Sequence, residues 1–217
     1  MNEVFDAAAE KPKDVLVAFE YDGARLEAKN KTLTLVLDRD IHRSIEHASC
    51  MAVSIAKKFS KRNVLLINTY AGMDLLQQSL VAGMIASDLA LPKTWKYRGY
   101  TVGATENWVE PEAAKLPPNL RVLNCPYSTL TAKLMDSEIT AHKCDIVVLN
   151  SFEFASLSSY AKSLLASGLL DLLANKKLSL LVYSQDRHRG LSTFSLGRGA
   201  IGSLAPYSAA IWRIYDN

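Results

Sequence analysis

The 217-residue sequence has only three cysteines, Cys50, Cys125 and Cys144, and no C-x-x-C pair. So sparse a set supports neither a disulfide framework nor a zinc site, and buried reduced thiols are expected. The four histidines, His42, His47, His142 and His188, do not pair with the cysteines or with one another at metal-ligand spacing, so no metal centre is expected. No stretch reaches the roughly 18 uninterrupted apolar residues of a membrane-spanning helix. The start, Met1-Asn2-Glu3-Val4-Phe5-Asp6, lacks the basic residues and apolar run of a signal peptide. A cytoplasmic protein without a membrane partner is the expectation. Charge of neither sign dominates, since 25 Lys and Arg face 22 Asp and Glu. The resulting +3 permits nucleic-acid contact without requiring it. There is no G-x-S-x-G elbow for a serine hydrolase, no internal repeat and no low-complexity tract.

What is present is ordinary globular composition, 49% hydrophobic and 22% charged, in a length that suits one domain spanning residues 1–217. Short, nearly continuous apolar runs recur at Leu33–Leu37, Val64–Ile67, Ile146–Leu149, Leu178–Tyr183 and Ala209–Ile214. Such runs suit strands covered on both faces, as in a parallel sheet. Helical patterns lie between them. Ile45, Ala48, Met51, Ala52, Ile55, Ala56 and Phe59 fall at steps of three and four and lead into Lys57, Lys58, Lys61 and Arg62, which suit a helix C-terminus. Two further helices are predicted over Thr129–His142 and Ser156–Asn175, the second with Leu157, Tyr160, Ala161, Leu164, Leu165 and Leu169 on one side. Alternating strands and helices predict an α/β fold with a mostly parallel central sheet flanked by helices. Residues 1–30 read as a lead-in with a hairpin, Val15–Phe19 and Arg25–Ala28, about Asp22-Gly23. Residues 91–118, with Pro92, Pro111, Pro117 and Pro118, read as an irregular excursion with a short hairpin around Trp95–Tyr100.

The order strand, loop (Asp38–His42), helix, strand, then Thr69-Tyr70-Ala71-Gly72, resembles the opening of the RecA-like P-loop ATPase core. Cys144–Ser151 looks like the Walker B strand, and Ser179–Gln185 is similar to the next strand, with Ser184-Gln185 at the sensor position. Phe194–Gly202, running into Tyr207–Ile214, resembles the Gly-Ala-Ile loop and following strand of DnaB-type replicative helicases and RepA-like plasmid helicases. The resemblance covers residues 33–215 and implies a single RecA-like domain, with a nucleotide site around Arg43, Ser44, Tyr70, Asn150 and Gln185. It also implies a loop facing single-stranded DNA, where Arg187, Arg189 and Arg198 would contact phosphates.

The departures from that pattern carry the functional expectation. A P-loop needs G-x-x-x-x-G-K-[ST], because glycines let backbone N–H groups wrap the phosphates, the Lys reaches the β- and γ-phosphates and the hydroxyl holds Mg²⁺. No such motif occurs in the chain. The matching stretch, Leu37–Ser44, has Leu37 and His42 at the glycine positions, Arg43 for the Lys, and only Ser44 in place. Asp38 and Asp40 add negative charge where a triphosphate would sit, and like charges about 4 Å apart repel by about 1 kcal/mol even in water. At the Walker B position Asn150 replaces the Asp that organises Mg²⁺. After the second strand, Asn68-Thr69-Tyr70 offers no carboxylate until Asp74, where the family has its catalytic Glu. Arg43 and Ser44 have a plain alternative role, Ser44 as a helix N-cap and Arg43 paired to Asp38 or Asp40, with Asp40 an equally good cap.

The expectation is a protein without enzymatic activity or cofactor. It would be a binding or assembly component in DNA replication, recombination or mobile-element maintenance, with single-stranded DNA, a protein partner or further copies of itself as partners. Two alternatives differ in class. One is a divergent NTPase in which Arg43 replaces the Lys and Asp74, Glu153 or Asp145 supplies the carboxylate. The other is a protein-only scaffold or inhibitor using Trp95, Tyr97, Tyr100 and Trp108, aromatics that equally suit packing of the excursion onto its own core.

Overall fold

The computed structural model describes residues 14–21, 24–38, 41–70, 117–126, 130–150, 159–185 and 204–214. The chain opens with β1 (Val15–Tyr21) and β2 (Ala24–Lys29), an antiparallel pair with Tyr21 opposite Ala24, which is the hairpin expected around Asp22-Gly23. Next come β3 (Leu33–Asp38), α1 (Ile41–Lys58) and β4 (Val64–Tyr70), followed by β5 (Leu120–Pro126). The remaining elements are α2 (Ala132–Ala141), β6 (Ile146–Asn150), α3 (Ser159–Lys176), β7 (Ser179–Gln185) and β8 (Ser208–Arg213). The expected hairpin at Trp95–Tyr100 lies outside the described residues. Among the described residues no helix is long and apolar enough to cross a membrane.

Six strands form one sheet in the order β5-β4-β6-β7-β3-β8, and every neighbouring pair is parallel. Parallel neighbours need crossovers, and crossovers put helices on the sheet faces. The connection from β3 to β4 runs one way along the sheet, whereas those from β5 to β6 and β6 to β7 run the other way. A single crossover hand then sends α1 to one face and α2 and α3 to the other. The two cores follow this division. On one face Ala48, Met51, Ala52, Ile55 and Ala56 of α1 pack with Val36, Leu66, Val148 and Leu181, and Leu16 and Val17 of the hairpin join them. On the other, Met135 and Ile139 of α2 and Leu165, Leu169 and Leu172 of α3 pack with Leu35, Leu65, Val147 and Leu180. The sheet residues alternate between the two clusters as the pleat requires.

Two expectations about burial need correction. Leu164 does not share the buried side of α3, being 55% exposed, because the stripe follows Leu165, Ala166, Leu169 and Leu172 and leaves the preceding position on the rim. The run Ala209–Ile214 is not a strand covered on both faces. It forms the edge strand β8, where Trp212 is buried and Ala209, Ile211 and Arg213 are exposed.

The helix ends and the amino edge of the sheet are tied by side chains. Thr131 caps α2 by accepting from the backbone N–H of Leu134 at 3.1 Å. The Asn119 side-chain amide donates to the carbonyls of Ala56, Phe59 and Arg62 at 3.0, 3.1 and 2.7 Å, closing the C-terminal end of α1. Arg62 reaches Asp145 at 3.2 Å, Asn30 at 2.5 Å and Ser179 at 3.4 Å, linking the entries of β4, β6, β3 and β7.

Where α2 and α3 meet, Gly168 faces Ala132 so closely that an added Cβ would overlap the Ala132 Cβ. Gly168→Ala should lower stability by about 1–3 kcal/mol although Ala is worth about 1 kcal/mol more than Gly in a helix, because overlap outweighs propensity. Urea denaturation of Gly168→Ala and of Gly168→Ala with Ala132→Gly checks this, and the double variant should recover most of the loss.

Candidate functional site

In an open parallel sheet, ligand sites form at the carboxyl edge where neighbouring strands send their connections in opposite directions. Here that point lies between β4, whose chain continues to β5, and β6, whose chain continues through α3 to β7. Both strands end in polar residues. Asn68, Thr69 and Asn150 are all 0% exposed. Asn68 and Asn150 are direct register partners, and Asn124 of β5 lies opposite Asn68 on the other side.

Two hydrogen bonds join these buried groups. The Asn150 side-chain amide donates to the Asn68 side-chain carbonyl at 3.4 Å, and the Thr69 hydroxyl donates to the Asn150 backbone carbonyl at 2.6 Å. Asn68 and Asn150 follow Leu66 and Val148 in the strand alternation and so lie on the α1 side of the sheet. On that side Tyr183 of β7 and His47 of α1 share a buried hydrogen bond, Oη to Nδ1, of 3.0 Å, with ring centroids 5.5 Å apart. Asp38, 1% exposed, ends β3 in the same alternation as Val36. The N-terminal half of α1 thus covers a polar layer where its C-terminal half covers an apolar core.

The residues singled out from the sequence divide clearly. Arg43 and Ser44 lie in the first turn of α1, Tyr70 ends β4, Asn150 ends β6 and Gln185 ends β7 opposite Asp38. The parallel sheet therefore brings the backbones of all five to one edge, while the side chains of Arg43, Tyr70 and Gln185 lie outside the described residues. Ser44 is not an N-cap, since the helix begins three residues earlier at Ile41. Asp40, the alternative cap, lies outside the described residues. The Ser44 hydroxyl is buried without a hydrogen-bond partner, as is that of Ser184 near the end of β7. Arg187, Arg189 and Arg198 lie outside the described residues, as do Asp74 and Glu153.

Asp145 cannot serve as the missing carboxylate. It precedes β6 at the amino edge and is held by Arg62, and the length of β6, about 3.3 Å per residue, separates it from Asn150. Among the described residues no three His, Cys, Asp or Glu side chains converge as a metal site would require. The sequence reading missed Asn68 as the partner of Asn150 and missed the His47–Tyr183 pair. The only sequence sign of the first is an Asn ending each of two apolar runs.

Asn68 and Asn150 themselves offer no carboxylate to a magnesium ion, and Asp38 is the buried carboxylate described at this edge. A bound Mg²⁺ keeps several waters and takes one or two carboxylates, whereas Asn68 and Asn150 are neutral, dry and already bonded to each other. Cys144, before β6, is buried. Burial first, then the nearby charges of Asp145 and Glu138, push its thiol up to about 11 against the partial opposition of Arg121.

Asn150→Asp should destabilise the fold by about 3 kcal/mol or more at pH 7, because a buried carboxylate beside Asn68 loses its hydration. Its folded pKa would rise above the unfolded value near 3.9, so the penalty should be absent below about pH 4 and grow as the pH rises. Denaturant melts at pH 4 and pH 7, with and without Mg²⁺, check this, and Mg²⁺ should give no recovery. For Cys144, folded-state pKa above the usual 9.0 means its contribution to stability is complete below pH 9 and is lost as the pH climbs through about 11. Iodoacetamide labelling followed by mass spectrometry at pH 8 should find Cys144 unmodified until the protein unfolds.

The sequence matches no family model and no curated protein, so the reading of this edge rests on its own residues and geometry.

Proposed function

We propose that the protein is a catalytically inactive relative of the RecA/DnaB-type ATPases that acts as a binding or assembly component in DNA replication, recombination or mobile-element maintenance. The observation that supports this reading is the Asn68–Asn150 pair. The resemblance predicts that residues around positions 43–44, 68–70, 150 and 185 share one edge, and in the parallel sheet their backbones do share one edge. At the two places where ATP hydrolysis needs carboxylates, the chain instead has two buried amides bonded to each other. An ancestral Mg²⁺ cradle converted to a neutral hydrogen-bonded pair keeps the strand ends together without an ion. The chain then works through its surfaces, with Arg187, Arg189 and Arg198 as contacts to single-stranded DNA.

A second reading, a divergent nucleotide-binding protein, draws on one observation. The unpartnered Ser44 hydroxyl lies in the first turn of an 18-residue helix, where a phosphate would find backbone donors. Its difficulty is that Asn68 and Asn150 are neutral where a metal-dependent NTPase carries carboxylates.

Isothermal titration separates the two. With ATP and Mg²⁺ no binding heat should appear, whereas single-stranded DNA should bind with an affinity that falls as salt rises. Replacing Arg187, Arg189 and Arg198 by Ala should weaken DNA binding at least about tenfold and flatten its log–log salt slope by about 2, close to 0.7 per lost phosphate contact. Micromolar ATP binding, or no DNA binding at any salt, would sink the first reading.

A further inference from the structure

Beyond that reading, and independently of the arginine loop, we infer that the amino edge of the sheet is a second surface for a nucleic-acid backbone, built on Lys61, Lys143, Lys177 and Lys31. These four residues precede β4, β6, β7 and β3 by two or three positions, and those strands are consecutive in the sheet. Main-chain bonds extend the ladder into the entry turns: Val64 N–H to the Asn119 carbonyl, Asp145 N–H to that of Asn63, Ser179 N–H to that of Asp145, and Leu180 N–H to that of Thr32. The turns are therefore held side by side at strand spacing, about 4.8 Å, and the lysines form a row about 14 Å long. All four are exposed, and among the described residues none of their ammonium groups is in an ion pair.

The backbone gives the second observation. Lys31, Lys143 and Lys177 have φ of 57°, 50° and 52°, and they are the positive-φ residues other than glycine among those described. A left-handed residue with a Cβ costs roughly 1–2 kcal/mol, and glycine is the usual choice after a helix. A cation at a helix C-terminus returns only about 0.3–1 kcal/mol, and Lys31 follows a strand and gains none of that. Helix capping therefore does not account for three lysines at these positions, whereas a requirement for charge at the edge does. The acidic side chains nearby are mostly engaged: Asp145 by Arg62, Asp136 by Lys176, and Glu138 by Arg121 and His142. Asp14, beside Asn30 on the hairpin, and Asp171, near the end of α3, are the described acids close to this edge outside those ion pairs. A duplex presents a phosphate about every 3.4 Å per strand, so four lysines over about 14 Å face about four phosphates. The exposed large apolar residues among those described, Leu164, Tyr207 and Ile211, are on α3, the turn before β8 and β8 itself, not in this row, which leaves the row without an anchor for a bilayer.

The test compares the full chain with two charge-matched variants, using fluorescence anisotropy of labelled oligothymidylate and of a labelled duplex across a salt series. One variant is Lys31→Gly, Lys143→Gly and Lys177→Gly. The other is Arg25→Gln, Lys133→Gln and Arg213→Gln, cations away from this edge. Glycine suits a positive φ, so the first variant should melt at or above the wild-type temperature while losing at least about tenfold in affinity. Its log–log salt slope should be shallower by about 2–3, at 0.7–0.9 per contact, and the second variant should stay near wild type. Unchanged affinity in the glycine variant, or equal losses in both variants, overturns the inference. So does loss of phosphatidylserine-vesicle binding in the glycine variant with nucleic-acid binding intact. Loss only in the Arg187/Arg189/Arg198 variant would overturn this inference while leaving the proposed function standing, and loss only in the glycine variant would do the reverse.

Discussion

Every strand pair in the six-stranded sheet is parallel, and the rest of the structure follows from that constraint. A parallel sheet cannot be closed by tight turns, so each return crosses a face and must bury it. This makes two cores of similar character out of one set of strands, Val36, Leu66 and Val148 facing α1, and Leu35, Leu65 and Val147 facing α2 and α3. It also makes the two sheet edges chemically unlike. Helix C-termini and strand entries collect at the amino edge, where Lys and Arg accumulate. Strand ends and the first turn of α1 collect at the carboxyl edge, where Asp38, Asn68, Asn150 and Ser44 are drawn inside.

At the carboxyl edge most of the buried polar groups described are neutral, with Asp38 the carboxylate among them. Burying an amide costs little once it is hydrogen-bonded, whereas a buried carboxylate needs an ion or a cation beside it. The Asn68–Asn150 pair meets that condition within the strand register itself, since the two residues are direct neighbours across β4 and β6. Thr69 adds a bond to the Asn150 carbonyl, and His47–Tyr183 fastens α1 to β7. These bonds hold the ends of β4 and β6, and α1 against β7, through the chain's own groups.

Much of this architecture was legible in the sequence, for a physical reason. Strands buried on both faces must be apolar throughout, so Leu33–Leu37, Val64–Ile67 and Ile146–Leu149 stand out without any alignment. β5 was missed because it is an edge strand. Exposed Arg121 and the interruptions Asn124 and Pro126 break its apolar run, and an edge tolerates a Pro where a central strand does not. The apolar run of β8 does not reveal that one of its faces is exposed at Ile211 while Trp212 on the other is buried. At the site, the absence of a P-loop and the Asn at position 150 were plain. Its pairing with Asn68 was not, because that depends on register between strands 82 residues apart. The left-handed lysines were equally invisible, because lysine is not a residue type that marks positive φ.

Polyanion binding at the amino edge meets one physical objection. Among the described residues three helices point their C-termini there, and each carries the equivalent of about half a negative charge, about −1.5 together. The ends of α1 and α2 are partly neutralised by side-chain amides. Asn119 donates to three carbonyls at the end of α1, and the Asn63 amide donates to the carbonyls of His142 and Lys143 at the end of α2. Carbonyls already bonded to amide donors present less negative potential outward. Four exposed ammonium groups, one on each of four neighbouring entry turns, exceed the remaining dipole charge by more than twofold. They also stand farther out on flexible stems, where a phosphate meets them before it meets the helix ends. The balance of charge at this edge therefore favours an approaching anion.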